Sequence, residues 1–329
     1  MMESTAEAAR RGPTATEVAG AESVQPPVRA LRPLPAAAAS RSLGSALRDY
    51  VALTKPRIIS LLLLTTVAAM FVADPAGPPL RTVLWTLLGG YLAAGGAGAI
   101  NHYLEREADA RMARTRGRPL ASGRIPPLHG LAFGIALGAI AVVALAAAVN
   151  LLAAALALAG LVGYALVYTV WLKPLTPQNI VIGGAAGAVP PLVGWAAATG
   201  GLGLGALSLF AVVFLWTPPH FWALALLIKD DYARTGVPML PVVRGEATTR
   251  RQILLYAIVL VAATLAPFAG GLFGVPYMVA ALALGGAFIA LAARLWLRPS
   301  RGAALQLYLA SLGYLALLFV AMALDRAVW

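Results

Sequence analysis

Six of the thirteen acidic residues fall in two short stretches: Glu105, Glu107 and Asp109 in one, Asp230, Asp231 and Glu246 in the other. The first stretch opens with Asn101 and runs on into Arg111, Arg114, Arg116 and Arg118. Asn101, Glu105 and Asp109 recur at i, i+4 and i+8, which on a helix puts their oxygens on one face. Such donors suit a hard cation such as Mg²⁺, which takes one or two carboxylates and completes its shell with water and phosphate oxygen. The guanidinium groups that follow can grip phosphate bidentately. A solvated helix end with i,i+4 ion pairs would use the same residue types, but it gives no reason for the acids to be confined to two places. Glu107 lies off the shared face and is expected to pair with a nearby Arg. His102 is expected to be an interfacial hydrogen-bonding residue.

The second stretch runs from Trp216 through Pro218, Pro219, His220 and Trp222 to Lys229, Asp230, Asp231, Tyr232 and Arg234. The proline pair predicts a kinked helix. His220 precedes Lys229 by nine residues, about 13 Å deeper at the helical rise. An ionisable group at such depth is a candidate functional residue, although a lone histidine there can also serve by bonding a neighbour. His220 and Asp231 are close to three turns apart, so the spacing predicts one cavity wall with the aspartate at its mouth. Trp216 and Trp222 either pack or stabilise a passing cation. Lys55 and Lys173 either neutralise an anionic group or snorkel to headgroups.

The elements that must position these groups are apolar helices. The chain is 60% hydrophobic and 12% charged over 329 residues, about half the charge of a soluble domain. Spans of the length a bilayer requires are expected near 57–73, 83–101, 128–149, 151–171, 179–199, 205–228, 252–272, 276–297 and 304–324, with the first extending back through Thr54-Lys55-Pro56. The fold class is therefore an all-α polytopic membrane protein of about nine transmembrane helices around a cavity. With the N-terminus inside, 23 of the 25 Lys and Arg residues fall on the cytoplasmic face, leaving Arg81 and Arg326 outside. That bias predicts an N-in, C-out protein of the cell (inner) membrane with its chemistry facing the cytoplasm. Residues 1–47, rich in Ala, Pro, Ser and Arg, read as a disordered cytoplasmic tail, and 48–329 as the transmembrane domain. There are no cysteines, which excludes disulfides and thiolate metal sites. The net charge of +12 lies beside the spans, so membrane lipid and an anionic substrate are the expected partners, not nucleic acid. The near absence of carboxylates from the spans argues against a proton-coupled transporter.

Several segments carry a family resemblance. They are Leu53-Thr54-Lys55-Pro56-Arg57, the Asn101…Glu105…Asp109 pattern with Arg114-Thr115 and Arg118-Pro119, Asn179 through Trp195, Pro219-His220-Phe221-Trp222, Asp230-Asp231-Tyr232, and Gly236 through Pro241. Over roughly residues 48–325 the chain resembles the UbiA-type intramembrane prenyltransferases, and within them the branch that farnesylates protohaem IX. The resemblance implies nine helices around a cavity and two acidic loops holding Mg²⁺ and an isoprenoid diphosphate. It implies joining of farnesyl diphosphate to a haem vinyl group with addition of water and release of diphosphate. Carried over to this chain, the metal would be held by Asn101, Glu105, Asp109 and Asp231. Lys55, Arg114 and Arg118 would stabilise the leaving group, and Arg57, Lys173, Asn179, Trp216, Asp230 and Tyr232 would contact substrate. His220 would ligate haem iron or position the added water. Contact with a downstream haem-modifying membrane enzyme also belongs to this expectation. The chain departs from the family pattern in having Glu at 105 and 107 where Asp is usual. It also has Leu227 where the wider family carries a second carboxylate four residues before Asp231, which puts a full second metal site in doubt. Two other functions fit the same residues: an aromatic prenyltransferase making quinone precursors, and a membrane transporter of lipids or metabolites.

Overall fold

The computed structural model describes residues 42–328, and their regular structure is helical throughout. The tail expected over residues 1–47 lies outside the described residues except at its end. There, α1 (Leu43–Thr54) already begins, with the Ser42 hydroxyl accepting from the Ser45 amide as an N-cap. Among the described residues nine helices are long and apolar enough to span a membrane, and the protein is a multi-pass membrane protein. Their positions follow the expected spans to within a few residues at most ends; the exceptions carry most of the information about the site.

The first exception is at Lys55. The leading span was expected to run back through Thr54 and Lys55, but α2 (Pro56–Ala73) starts afresh at Pro56. A residue before proline is kept out of the right-handed helical region. Lys55 instead takes φ 58° and ψ 53°, the one non-glycine residue among those described with positive φ. That left-handed conformation costs about 1 kcal/mol or more, and it separates α1 from α2 at a half-buried lysine.

The second exception is at Glu105. α3 (Leu80–Leu104) ends when the Glu105 amide bonds the Asn101 carbonyl at 2.9 Å, and the Glu105 carbonyl then accepts from the Asp109 amide at 2.8 Å to start α4 (Arg106–Arg111). Asn101 and Asp109 therefore sit on different helices, and the single continuous face predicted from their spacing does not form.

α3 packs on α5 (Pro127–Ala148) through bare backbone. A Cβ on Gly96 would come within 2.7 Å of the Gly134 carbonyl and 2.9 Å of the Gly138 amide. Small residues permit this approach where lipid offers no hydrophobic drive to pack helices. α6 (Leu151–Val162), N-capped by Asn150, passes directly into a π-helix at Gly163–Leu172. α7 (Lys173–Leu175) follows. The next span is in two parts, α8 (Asn179–Gly187) and α9 (Val189–Thr199), broken at Ala188 ahead of Pro190 and Pro191. Left-handed Gly200 ends it.

α10 (Leu204–Leu227) continues unbroken through Pro218 and Pro219. It stops before Ile228, whose φ of −124° separates it from α11 (Lys229–Arg234). The three-turn alignment of His220 with Asp231 is thereby lost. After α12 (Leu240–Val243) come three long helices, α13 (Gly245–Ala269), α14 (Val275–Leu297) and α15 (Arg301–Val328). Two large apolar clusters hold the bundle. One gathers α10, α13, α14 and α15 around Leu260, Phe288 and Phe319, and the other gathers α3, α5, α6 and α9 around Leu145 and Ala196. α2 contributes to both, through Ala68 and Ala69 to the first and Met70 to the second.

Candidate active site

The polar residues converge at the end of the bundle where α1 meets α2, α3 meets α4, the π-helix meets α7 and α10 meets α11. The Lys55 Nζ donates to Asn101 Oδ1 at 2.6 Å and to the Tyr164 hydroxyl at 3.4 Å, and lies 5.7 Å from the Tyr164 ring centroid. Burial, reinforced by Arg118, lowers its pKa to about 7, against the opposing pull of Glu105 and Asp109. Bringing an anion to this ammonium would favour its charged form. Asn101 is buried and fully engaged, its amide nitrogen donating to Thr169 Oγ1 at 3.1 Å.

Each carboxylate of the cluster meets a cation. Lys173 pairs with Glu105, Arg118 with Asp109 at 2.7 Å, and Arg234 with Asp231. Asp109 and Asp231 are 3% and 9% exposed, so these charges are stable only because they are paired. The two acidic stretches face one another. Buried Tyr232 lies within electrostatic reach of Arg114, Glu105, Arg118 and Asp231, and burial pushes its hydroxyl up to about 12.

Below Lys55 opens a cavity of ≈ 240 Å³ between α2, α3, α6, the π-helix and the α8–α9 span. Its walls are apolar except for Lys55, Thr54, Thr66 and Tyr164. An apolar well with an ammonium and a phenol at one end is matched to an amphiphile with an anionic head.

The remaining expected residues are placed less uniformly. Arg57, Arg114 and Asp230 are exposed. Asn179 is fully buried; its amide donates to the Thr176 carbonyl at 2.7 Å while its Oδ1 has no partner. Trp216 donates its Nε1 to the Ser311 carbonyl at 2.8 Å and stacks on His220 with centroids 4.2 Å apart, so its polar atom is committed within the protein. His220 Nδ1 lies 2.7 Å from Ser311 Oγ, and its ring is flanked on the other side by Tyr308. His220 does not line the cavity under Lys55. Glu107 pairs with Arg106 on the surface, as expected. His102, in the last turn of α3, is buried and its Nδ1 makes none of the hydrogen bonds expected of it.

The reading of the sequence missed Tyr164, Tyr168 and Thr169. All three belong to the π-helix, a wide turn often found at functional sites. Thr169 Oγ1 donates to the Tyr164 carbonyl, five residues back, at 2.8 Å. The i,i+5 spacings of Tyr164 with Thr169 and of Tyr168 with Lys173 were the only trace of it in the sequence.

The hard oxygens of Glu105, Asp109 and Asp231 are the donor type Mg²⁺ takes. Among the described residues, no group of three His, Asp or Glu side chains is arranged to hold a metal ion. The fit is thus to an ion that draws one or two carboxylates from the protein and the rest of its shell from water and a bound phosphate. Asn101 fits less well, because its carbonyl oxygen is already held by Lys55.

Among the described residues, nine membrane-length helices enclose an apolar well with an ammonium and paired charges near its mouth, the architecture of an intramembrane protein with a cavity suited to an amphiphile. The model of the UbiA prenyltransferase family matches residues 62–322, and the chain belongs to that family. It is 55% identical over 285 residues to a protoheme IX farnesyltransferase of Roseiflexus sp. (strain RS-1), covering 87% of this chain and 53% of that one. It is 52% identical over 284 residues to a protoheme IX farnesyltransferase of Symbiobacterium thermophilum, covering 86% of this chain and 95% of that one. The chain thus spans about half the length of the Roseiflexus relative and nearly all of the Symbiobacterium one. A solved structure reported for digeranylgeranylglyceryl phosphate synthase has the same fold, with a TM-score of 0.72 at 16% identity over 87% of this chain and 100% of that one. So does a UbiA homologue of Archaeoglobus fulgidus bound to DMAPP and Mg²⁺, with a TM-score of 0.60 at 16% identity over 85% of this chain and 99% of that one.

Proposed function

We propose that this protein is an Mg²⁺-dependent prenyltransferase. It moves a farnesyl group from farnesyl diphosphate to a vinyl group of protohaem IX, with addition of water, and yields haem O and diphosphate. The observation that carries the reading is the apolar well opening beneath Lys55, where the Glu105–Lys173 and Asp109–Arg118 pairs gather and Tyr232 of the second acidic stretch faces them. The names of the relatives at 52–55% identity supply the acceptor.

The farnesyl chain lies in the well and its diphosphate at the mouth. One or two carboxylates drawn from Asp109, Asp231 and Glu105 would hold Mg²⁺, which would supply charge neutralisation to the diphosphate. Lys55, Lys173 and Arg118 face the same charge as it develops on the leaving oxygen. As metal and diphosphate bind, Lys173 would leave Glu105 and Arg118 would leave Asp109, so these ion pairs exchange partners and no buried charge is left alone, while Lys55 turns from the Asn101 amide oxygen. The apolar walls keep water from the allylic cation until the vinyl group attacks. The positive-inside bias of the sequence supports a cytoplasmic position for this end of the bundle and an N-in, C-out orientation in the cell membrane. The product remains lipid-bound, which favours transfer to another haem-modifying membrane enzyme.

The test is haem extraction and mass spectrometry from cells that make protohaem but lack haem O, expressing this chain or its Asp109→Asn variant. A haem heavier by farnesyl plus water, absent with the variant, is expected. Folded protein that released diphosphate without a new haem would move the acceptor to quinone precursors. Folded protein that released no diphosphate would end the transferase reading in favour of transport.

A further inference from the structure

The well under Lys55 narrows at its lower end, where α2 and α9, which both line it, come into backbone contact. α2 and α9 approach so closely that a Cβ on Gly194 would lie 2.0 Å from the Thr66 carbonyl oxygen. No side chain and no ligand can pass between them at that level. Thr66 and Val193 line the bottom of the well, and Lys55 lines the top. Lys55 and Thr66 are eleven residues apart, which at the helical rise is a depth of about 16 Å.

α3 descends the opposite wall in register with α2. Gly98 meets the Leu53 and Thr54 carbonyls near the mouth, and Gly90 faces Leu63 near the bottom, where a Cβ would be 3.1 Å from Leu63 Cδ2. Between them α3 offers the well only Ala93, Ala94 and Ala97. The width of the well is therefore set by missing side chains on α3, and its depth by the Thr66–Gly194 contact.

We propose that this floor measures the isoprenoid donor, with Gly90 and Val193 as the residues that set its length at three isoprene units. The inference rests on the reading that the donor's hydrocarbon lies in this well. A chain of two units leaves the space between Gly90 and Val193 unfilled, and a chain of four meets the joined backbones of α2 and α9. Loss or excess of even one methylene in such a pocket is worth about tenfold or more in selectivity. A leucine at Gly90 fills the bottom and shifts preference to two units. An alanine at Val193 widens the floor and shifts preference toward four.

The experiment measures binding of non-reactive thiolodiphosphate analogues carrying two, three or four isoprene units to the full chain in lipid nanodiscs. It compares wild type, Gly90→Leu and Val193→Ala, with haem transfer from the three diphosphates assayed in parallel. Expected is a preference of about tenfold for three units in the wild type, moving to two units in Gly90→Leu and toward four in Val193→Ala. Because binding is read without the acceptor, length discrimination that shifts as predicted supports the floor even where no haem product forms, and the proposed acceptor then falls alone. Equal binding of the three analogues by the wild type would overturn the inference. So would an unchanged ranking in Val193→Ala, a small truncation that retains the fold, whatever becomes of Gly90→Leu.

Discussion

Buried aspartates stand at both ends of this bundle, and their partners differ. Asp325, 4% exposed near the end of α15, accepts from the backbone amides of Gly274 at 2.7 Å and Tyr277 at 3.0 Å. It satisfies two of the orphan donors at the start of α14 and gains from the helix dipole there. Asp109, 3% exposed, instead holds the Arg118 side chain. Backbone amides cannot leave a carboxylate without unwinding a helix, whereas a guanidinium on a flexible stem can turn to another anion. A carboxylate satisfied by the backbone is a fastener; one satisfied by a long cationic side chain can exchange it for metal or phosphate. By this criterion Glu105 and Asp231, paired with Lys173 and Arg234, belong with Asp109.

The contrast yields four expectations in decreasing size. Asp109→Asn, or removal of divalent cations by a chelator, lowers kcat about 10²-fold or more, and added Mg²⁺ restores activity only in the wild type; steady-state diphosphate release measures both. Activity in Asp109→Asn equal to wild type at matched folded protein would remove Asp109 from the site. Lys55→Met keeps the apolar stem and loses the charge. It raises the donor KM by about tenfold, and an unchanged KM would mean that Lys55 only braces Asn101. Asp325→Ala leaves kcat per folded molecule unaltered but lowers stability by about 2 kcal/mol, because two buried amides lose a charged acceptor. Thermal unfolding in detergent beside the activity assay separates the two effects, and a fall in kcat with no loss of stability would reverse the distinction between the two ends. Lys229→Ala removes an exposed partner of Glu246; the hydrogen bond between them raises the lysine's pKa and lowers that of the carboxyl. Neither the unfolding midpoint nor kcat is expected to move measurably, as is usual for surface pairs.

Much of the fold was legible because a bilayer imposes one solution on an apolar chain: every backbone polar group must be bonded within its own helix. Composition alone therefore led to the nine spans, and the gathering of acids near Asn101–Asp109 and Lys229–Arg234 pointed to the end of the bundle that carries the charged cluster. What failed was the extrapolation of helical periodicity across the ends of helices. The spacing of Asn101, Glu105 and Asp109 predicts one stripe, and that of His220 and Asp231 one wall, yet Glu105 and Ile228 interrupt the helices between them. A spacing rule holds only while φ and ψ stay helical, and loop ends are where they do not.

The residue types and their crowding into two stretches were thus determined by the sequence itself, since charge is affordable only at the membrane's edge. Whereas the Asp231–Arg234 pair is a helical i,i+3 contact within α11, which cation meets Glu105 and Asp109 was decided by tertiary structure, because Lys173 comes from a separate part of the chain and Arg118 from the bend after α4. The same is true of the well. Its ammonium depends on the left-handed turn at Lys55, its phenol on a π-helix, and its floor on a glycine of α9 lying against a carbonyl of α2. Local sequence carries no record of a distance between two helices.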